Sequence, residues 1–85
     1  HVASVEMARG LAREWPLEAN ILAGAFWPGP LTIVVKKRAV VPDLVTAGLD
    51  TVGLRMPAHE VMQQVIRRAQ VPIAAPSANR FTEVS

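Results

Sequence analysis

Apolar residues recur along this chain at two different periods. Met7, Leu11 and Trp15 are spaced by four, with Ala8 and Ala12 beside them, so residues 4–14 are expected to form a helix capped by Ser4. Pro16 interrupts that pattern and opens a second expected helix, 16–26, in the position proline tolerates best. Leu17, Ile21 and Ala25 share a face there with Leu22 and Phe26. Trp27-Pro28-Gly29-Pro30 cannot continue a helix. Leu31 to Lys37 then reads as a strand. Its consecutive Ile33, Val34 and Val35 predict cover on both faces, with Lys36 and Lys37 at the solvent end.

Residues 40–48 admit two readings, a loop or a single helical turn at Pro42-Asp43-Leu44-Val45 stopped by Gly48. The next strand, Thr51 to Met56, alternates. Val52, Leu54 and Met56 fall on one face; Thr51, Gly53 and Arg55 fall on the other. Pro57 leads into a helix over 58–69, where Val61, Met62, Val65, Ile66 and Ala69 follow the 3.6 period and Arg67 and Arg68 suit the C-terminal end. Val71 to Ala75 reads as a short buried strand ending in the loop Pro76-Ser77-Ala78-Asn79. The implied class is α/β, a twisted mixed or parallel sheet with packed helices. The piece from 51 to 75 has the length of a right-handed crossover unit.

Composition narrows the picture. The chain has 85 residues, room for one domain at most, and its 51% apolar content excludes a disordered segment. A net charge of +2 is too small to define a nucleic-acid face, and the only basic run is Lys36-Lys37-Arg38, the pattern of a solvated strand end. Without cysteine there is no disulfide or thiolate chemistry, which is compatible with a cytosolic setting. No apolar run reaches the length of a membrane span, so no membrane role is expected. The start at His1 without Met and the stop at Thr82-Glu83-Val84-Ser85 suggest a portion of a longer domain.

The polar face of the 51–56 strand offers a hydroxyl, a bare backbone and a guanidinium, which together suit an anion. Arg55 fits either an ion pair with a neighbouring carboxylate or a bidentate clamp on a ligand carboxylate or phosphate. Thr51 lies on the same face, roughly 13 Å away along a strand, so one extended ligand can touch both. Ser77 and Asn79 follow a strand end and suit either turn capping or ligand contact, since open α/β sheets bind ligands outside the carboxyl ends of their strands. His59 reads as an exposed or capping residue and Trp27 as a core aromatic locking its turn. Asp43, Asp50, Glu60 and Glu83 lack metal-ligand spacing, and neither a phosphate-binding glycine loop nor a Ser-His-Asp arrangement is present. The residues themselves lead to an α/β domain with an anion site.

Three ordered segments take the reading further. Phe26-Trp27-Pro28-Gly29-Pro30-Leu31-Thr32, Val52-Gly53-Leu54-Arg55-Met56-Pro57 and Pro72-Ile73-Ala74-Ala75-Pro76-Ser77-Ala78-Asn79 resemble the YrdC-like family, the threonylcarbamoyl-AMP synthases of tRNA modification. The resemblance spans essentially the whole chain and implies that residues 1–85 are the C-terminal portion of a single YrdC-like domain. It also implies a reaction of L-threonine, bicarbonate and ATP, with Mg2+, giving threonylcarbamoyl-AMP and pyrophosphate. A separate system would pass the group to tRNA in the cytoplasm. Carried over by motif, Arg55 and Ala75 would bind threonine. Thr51, Ser77, Asn79 and Ser85 would bind ATP, and no residue acts as a nucleophile or other chemical catalyst. The N-terminal half that carries the family's Pro-Thr-x-Thr-x-Tyr-Gly segment and phosphate-binding Lys-x-Arg motif is not among these residues, so the 85 residues alone are expected to be inactive. Two relatives of the same fold are alternatives: a non-catalytic paralogue that binds double-stranded RNA, and the YrdC-like module of a hydrogenase-maturation carbamoyltransferase. A third reading is a structural fragment without a ligand.

Overall fold

The structure, a computed structural model, describes residues 1–74 and the backbone of 82–83. Its elements are α1 (Val5–Leu11), α2 (Leu17–Phe26), β1 (Ile33–Lys36), β2 (Thr51–Leu54), α3 (Glu60–Ala69) and β3 (Thr82–Glu83). The sheet is mixed, in the order β2-β1-β3. β1 and β2 run antiparallel, with Ile33 opposite Leu54 and Val35 opposite Val52; β1 and β3 run parallel. This is the α/β class that the sequence implied.

Ser4 caps α1 as expected, its hydroxyl accepting from the Met7 amide at 3.1 Å. The helix stops at Leu11 rather than continuing to residue 14, because the chain turns to run beside the end of β1. The Arg13 amide donates to Lys36 O at 2.8 Å and the Arg38 amide to Leu11 O at 2.9 Å, around an Ala12–Lys37 bridge. Pro16 caps α2 without a side-chain hydrogen bond, and Leu17 is its first helical residue.

The sheet's inner face carries Ile33, Val35, Val52 and Leu54, all buried, and α2 packs on β1. The fully buried contacts of α1 and α2 with this core are alanines, with Met7, Leu11 and Leu22 packed half-buried beside them. Ala8, Ala12, Ala19 and Ala23 are buried, whereas Leu17, Ile21 and Phe26 on α2 are exposed. Of the stripe expected to drive α2 into the core, Leu17, Ile21, Ala25 and Phe26 therefore face outward, and Leu22 alone packs half-buried against it. The methyl side allows closer approach of helix and sheet, which favours dense packing. α3 departs similarly. Its buried residues are Gln63 and Ile66, while Val61 and Val65 are exposed. Gln63 is buried with its amide satisfied, donating to Pro57 O at 2.6 Å and accepting from Arg67 at 2.7 Å.

Two further expectations are corrected. Val34 is half-exposed, so β1 is covered on one face among the described residues, not both. Residues 71–74 form no strand, so the crossover expected over 51–75 does not occur there. Pro72 has no amide hydrogen for a ladder. Ile73 instead exchanges backbone bonds with His1, receiving from the His1 amino group at 2.7 Å and donating to His1 O at 3.0 Å. The 42–49 segment resolves as successive turns, with Ala47 and Gly48 in the left-handed region.

Candidate functional site

The alternation read for Thr51 to Met56 holds. Val52 and Leu54 point into the core, and Thr51 and Arg55 are half-exposed around the exposed Gly53. On β1, Val34 lies opposite Gly53 and shares that outer face. A cavity of about 650 Å3 opens over the face. It extends from Thr51, the first residue of β2, past Gly53 to Arg55, just beyond the strand's last residue. The site thus lies along the face of the strand as well as at its carboxyl end. Its floor is Val34, Gly53 and Thr32; its apolar side comes from the β1–β2 connection, including Val41, Val45 and Leu49.

The Arg55 end is fixed by backbone bonds. Arg55 O accepts from the Val2 amide at 2.9 Å, and Met56 O accepts from the Gly29 amide at 2.8 Å. The second bond ties the Trp27-Pro28-Gly29-Pro30 turn to the end of β2. A methyl group on Gly29 would come 2.5 Å from Phe26 O, so only glycine permits this approach. Trp27 is the core aromatic that the sequence implied. It is 9% exposed, donates its indole N–H to Leu31 O at 2.9 Å, and packs tilted against Trp15 with ring centroids 6.2 Å apart. The Trp27-Pro28 peptide is cis.

No ion pair joins Arg55 to a carboxylate among the described residues. Its guanidinium Nη2 lies 3.2 Å from His1 Nε2 and donates to it when that nitrogen is unprotonated. The other ring nitrogen, His1 Nδ1, is buried without a partner among the described residues. A positive guanidinium beside an unsatisfied ring nitrogen and an open cavity suits a ligand carboxylate.

Thr51 and Arg55 are brought to one cavity, as expected. Ala75, Ser77, Asn79 and Ser85 lie outside the described residues. His59 is the N-cap of α3, its Nδ1 facing the Met62 amide at 3.4 Å. Lys37 is the main correction. Read as a solvated strand end, it is 8% exposed and bonded inside the β1–β2 connection. His1 was also missed. Neither residue sits in a recognisable motif, because each meets its partners through the fold.

The described residues do not by themselves form a magnesium site. Among the described residues no three His, Asp or Glu side chains are grouped to bind a metal ion, and the cavity's lining contains no carboxylate. No helix among the described residues is long and apolar enough to cross a membrane.

Fold and cavity define an α/β unit whose open sheet face carries a guanidinium suited to an anion. Comparison with known proteins sharpens this. A family model for Sua5/YciO/YrdC, described as "Telomere recombination", matches residues 1–85, and the chain belongs to that family. It is 57% identical over 79 residues to a threonylcarbamoyl-AMP synthase of Pyrococcus abyssi and 44% identical over 81 residues to one of Bacillus subtilis. Each alignment covers 93% of this chain and 23% of the relative, so the chain spans about a quarter of those proteins' length. A crystal structure of P. abyssi Sua5 complexed with L-threonine superimposes with a TM-score of 0.87 at 57% identity, covering 93% of this chain and 23% of that one.

Proposed function

We propose that the chain is the C-terminal portion of a single Sua5/YciO/YrdC domain whose intact protein is an L-threonylcarbamoyl-adenylate synthase. The observation that carries this reading is the shared cavity. Arg55 stands at one end and Thr51 at the other, on one face of β2. Support comes from the relatives named threonylcarbamoyl-AMP synthase and from the similar structure complexed with L-threonine.

In this reading the Arg55 fork receives the threonine carboxylate and Thr51 faces ATP. Ala75 lines the threonine pocket, while Ser77, Asn79 and Ser85 contact the nucleotide. The threonine amine and bicarbonate condense to a carbamate with loss of water. A carbamate oxygen then attacks the α-phosphorus, the bond to the β-phosphate oxygen breaks, and pyrophosphate leaves. No protein nucleophile is required. The residues act by orienting two anions and offsetting their repulsion. Transfer of the threonylcarbamoyl group to tRNA belongs to a separate cytoplasmic system. ATP enters as a substrate, with Mg2+ on its phosphates rather than on the residues described above.

The test is pyrophosphate release by the intact protein, with and without L-threonine and bicarbonate, for wild type and Arg55→Ala. Release should require both small substrates and fall at least about a hundredfold in the variant, as expected for a lost charge-assisted bidentate contact. Threonine-independent release would redirect the reading to a carbamoyltransferase module. No release, with salt-dependent RNA binding, would redirect it to an RNA-binding paralogue.

A further inference from the structure

One buried charged group is left unused by this mechanism, the ammonium of Lys37. The Lys37 amide donates to Asp50 O at 3.0 Å and closes the neck of the β1–β2 loop. Its side chain turns into that loop. Nζ donates to Val41 O at 3.2 Å, to the Asp43 carboxylate at 2.5 Å and to the Thr46 hydroxyl at 3.1 Å. All three ammonium protons have an acceptor. The Thr46 hydroxyl in turn donates to Leu49 O at 2.9 Å.

The loop's one apolar anchor among the described residues is Val41, 7% exposed and part of the core; its other aliphatic side chains do little to fix this shape. Leu44 is 94% exposed, Val40 and Leu49 are also exposed, and two consecutive residues are left-handed. Yet Val41, Val45 and Leu49 form the apolar wall of the cavity beside Thr51. Burying an ammonium is unfavourable unless all its protons are bonded. Here they bind three points of the one segment that shapes the cavity's Thr51 end.

We propose that Lys37 is a positioning residue, whose ammonium gathers the β1–β2 loop into the wall of the cavity beside Thr51 and so tunes affinity for the nucleotide. The proposal rests on the reading in which Thr51 faces ATP. It separates the two ends of the site. Arg55 is held by backbone bonds at the far end, so loosening the loop weakens nucleotide binding and spares threonine binding.

The experiment uses the intact protein with Lys37→Met and, as a milder change, Thr46→Val. KM for ATP and KM for L-threonine are measured from pyrophosphate release. In Lys37→Met, KM for ATP should rise about tenfold, while KM for threonine and kcat stay within about twofold. Thr46→Val should shift KM for ATP the same way by about threefold. A purely structural lysine would lower the active fraction, and hence apparent kcat, without moving one KM. An unchanged KM for ATP in folded Lys37→Met overturns the proposal. If that variant does not fold, an unchanged KM in Thr46→Val does so. Loss of release in Arg55→Ala tests the underlying reading separately. Should that reading fail, amide hydrogen exchange still tests the loop without substrate. Exchange at Val45, Thr46, Gly48 and Leu49 should speed about tenfold in Lys37→Met, or about threefold in Thr46→Val, with β1 and β2 amides unaffected. Unchanged loop exchange overturns the proposal.

Discussion

The two ends of the cavity are built by different means. At the Arg55 end, backbone meets backbone. Val2 and Gly29 donate to the carbonyls of Arg55 and Met56, and a glycine with no room for a methyl group allows the approach. At the Thr51 end, a loop with exposed aliphatic residues is gathered by one lysine side chain. The first arrangement belongs to a contiguous turn docked on a strand end and tolerates little change. The second depends on side-chain bonds that a single substitution can release. A carboxylate clamp needs a fixed frame, whereas a wall of side chains can be adjusted to its ligand.

Substitutions in the intact protein can separate the two ends. Leu54→Ala removes a nearly fully buried side chain between the two ends and should lower stability by about 3 kcal/mol in urea denaturation. A cost below about 1 kcal/mol would mean that the inner face is not the core described. Gly29→Ala forces the turn away from Phe26 O and should cost about 2 kcal/mol, weakening threonine binding more than ATP binding by calorimetry. An equal loss at both ends would deny them separate frames. Gly48→Ala meets no neighbouring atom, so its cost is the left-handed backbone alone, about 1 kcal/mol by thermal denaturation. It should disturb the loop without moving the Arg55 end, and slower loop amide exchange would contradict that. Gln70→Gly touches neither end. It places the favoured residue at the left-handed C-cap of α3 and should stabilise by about 0.5 kcal/mol, raising Tm slightly. A lower Tm would show that the Gln70 side chain contributes more than its backbone strain costs.

Much of this was legible in the residues. The period-2 pattern of Thr51 to Met56 assigns core and outer faces without any structure, because alternation follows from backbone geometry. Ser4, Pro16 and His59 mark helix starts by local chemistry. Trp27 beside two prolines and a glycine identifies a turn. The helix faces were misleading. Leu17, Ile21, Val61 and Val65 have the right spacing for burial but are exposed, while alanines and Gln63 face inward. Periodicity gives the stripe of a helix but not its rotation against a particular sheet. It also cannot say when a methyl group packs more closely than a leucine.

The residues alone were enough for the class of fold, for the two-sided pattern of the 51–56 strand, and for the placement of Thr51 and Arg55 together on its outer face. They also determined the family, through three ordered segments. These are local properties or short-range periods, and the backbone enforces them wherever the segment lies. The tertiary structure alone decided that residues 71–74 would bond His1 instead of extending the sheet. It alone placed His1 against Arg55 and drew the Lys37 ammonium into the loop. Those contacts join groups four to 72 residues apart. Their partners are selected by burial and by the need to satisfy each polar atom, which no local pattern encodes.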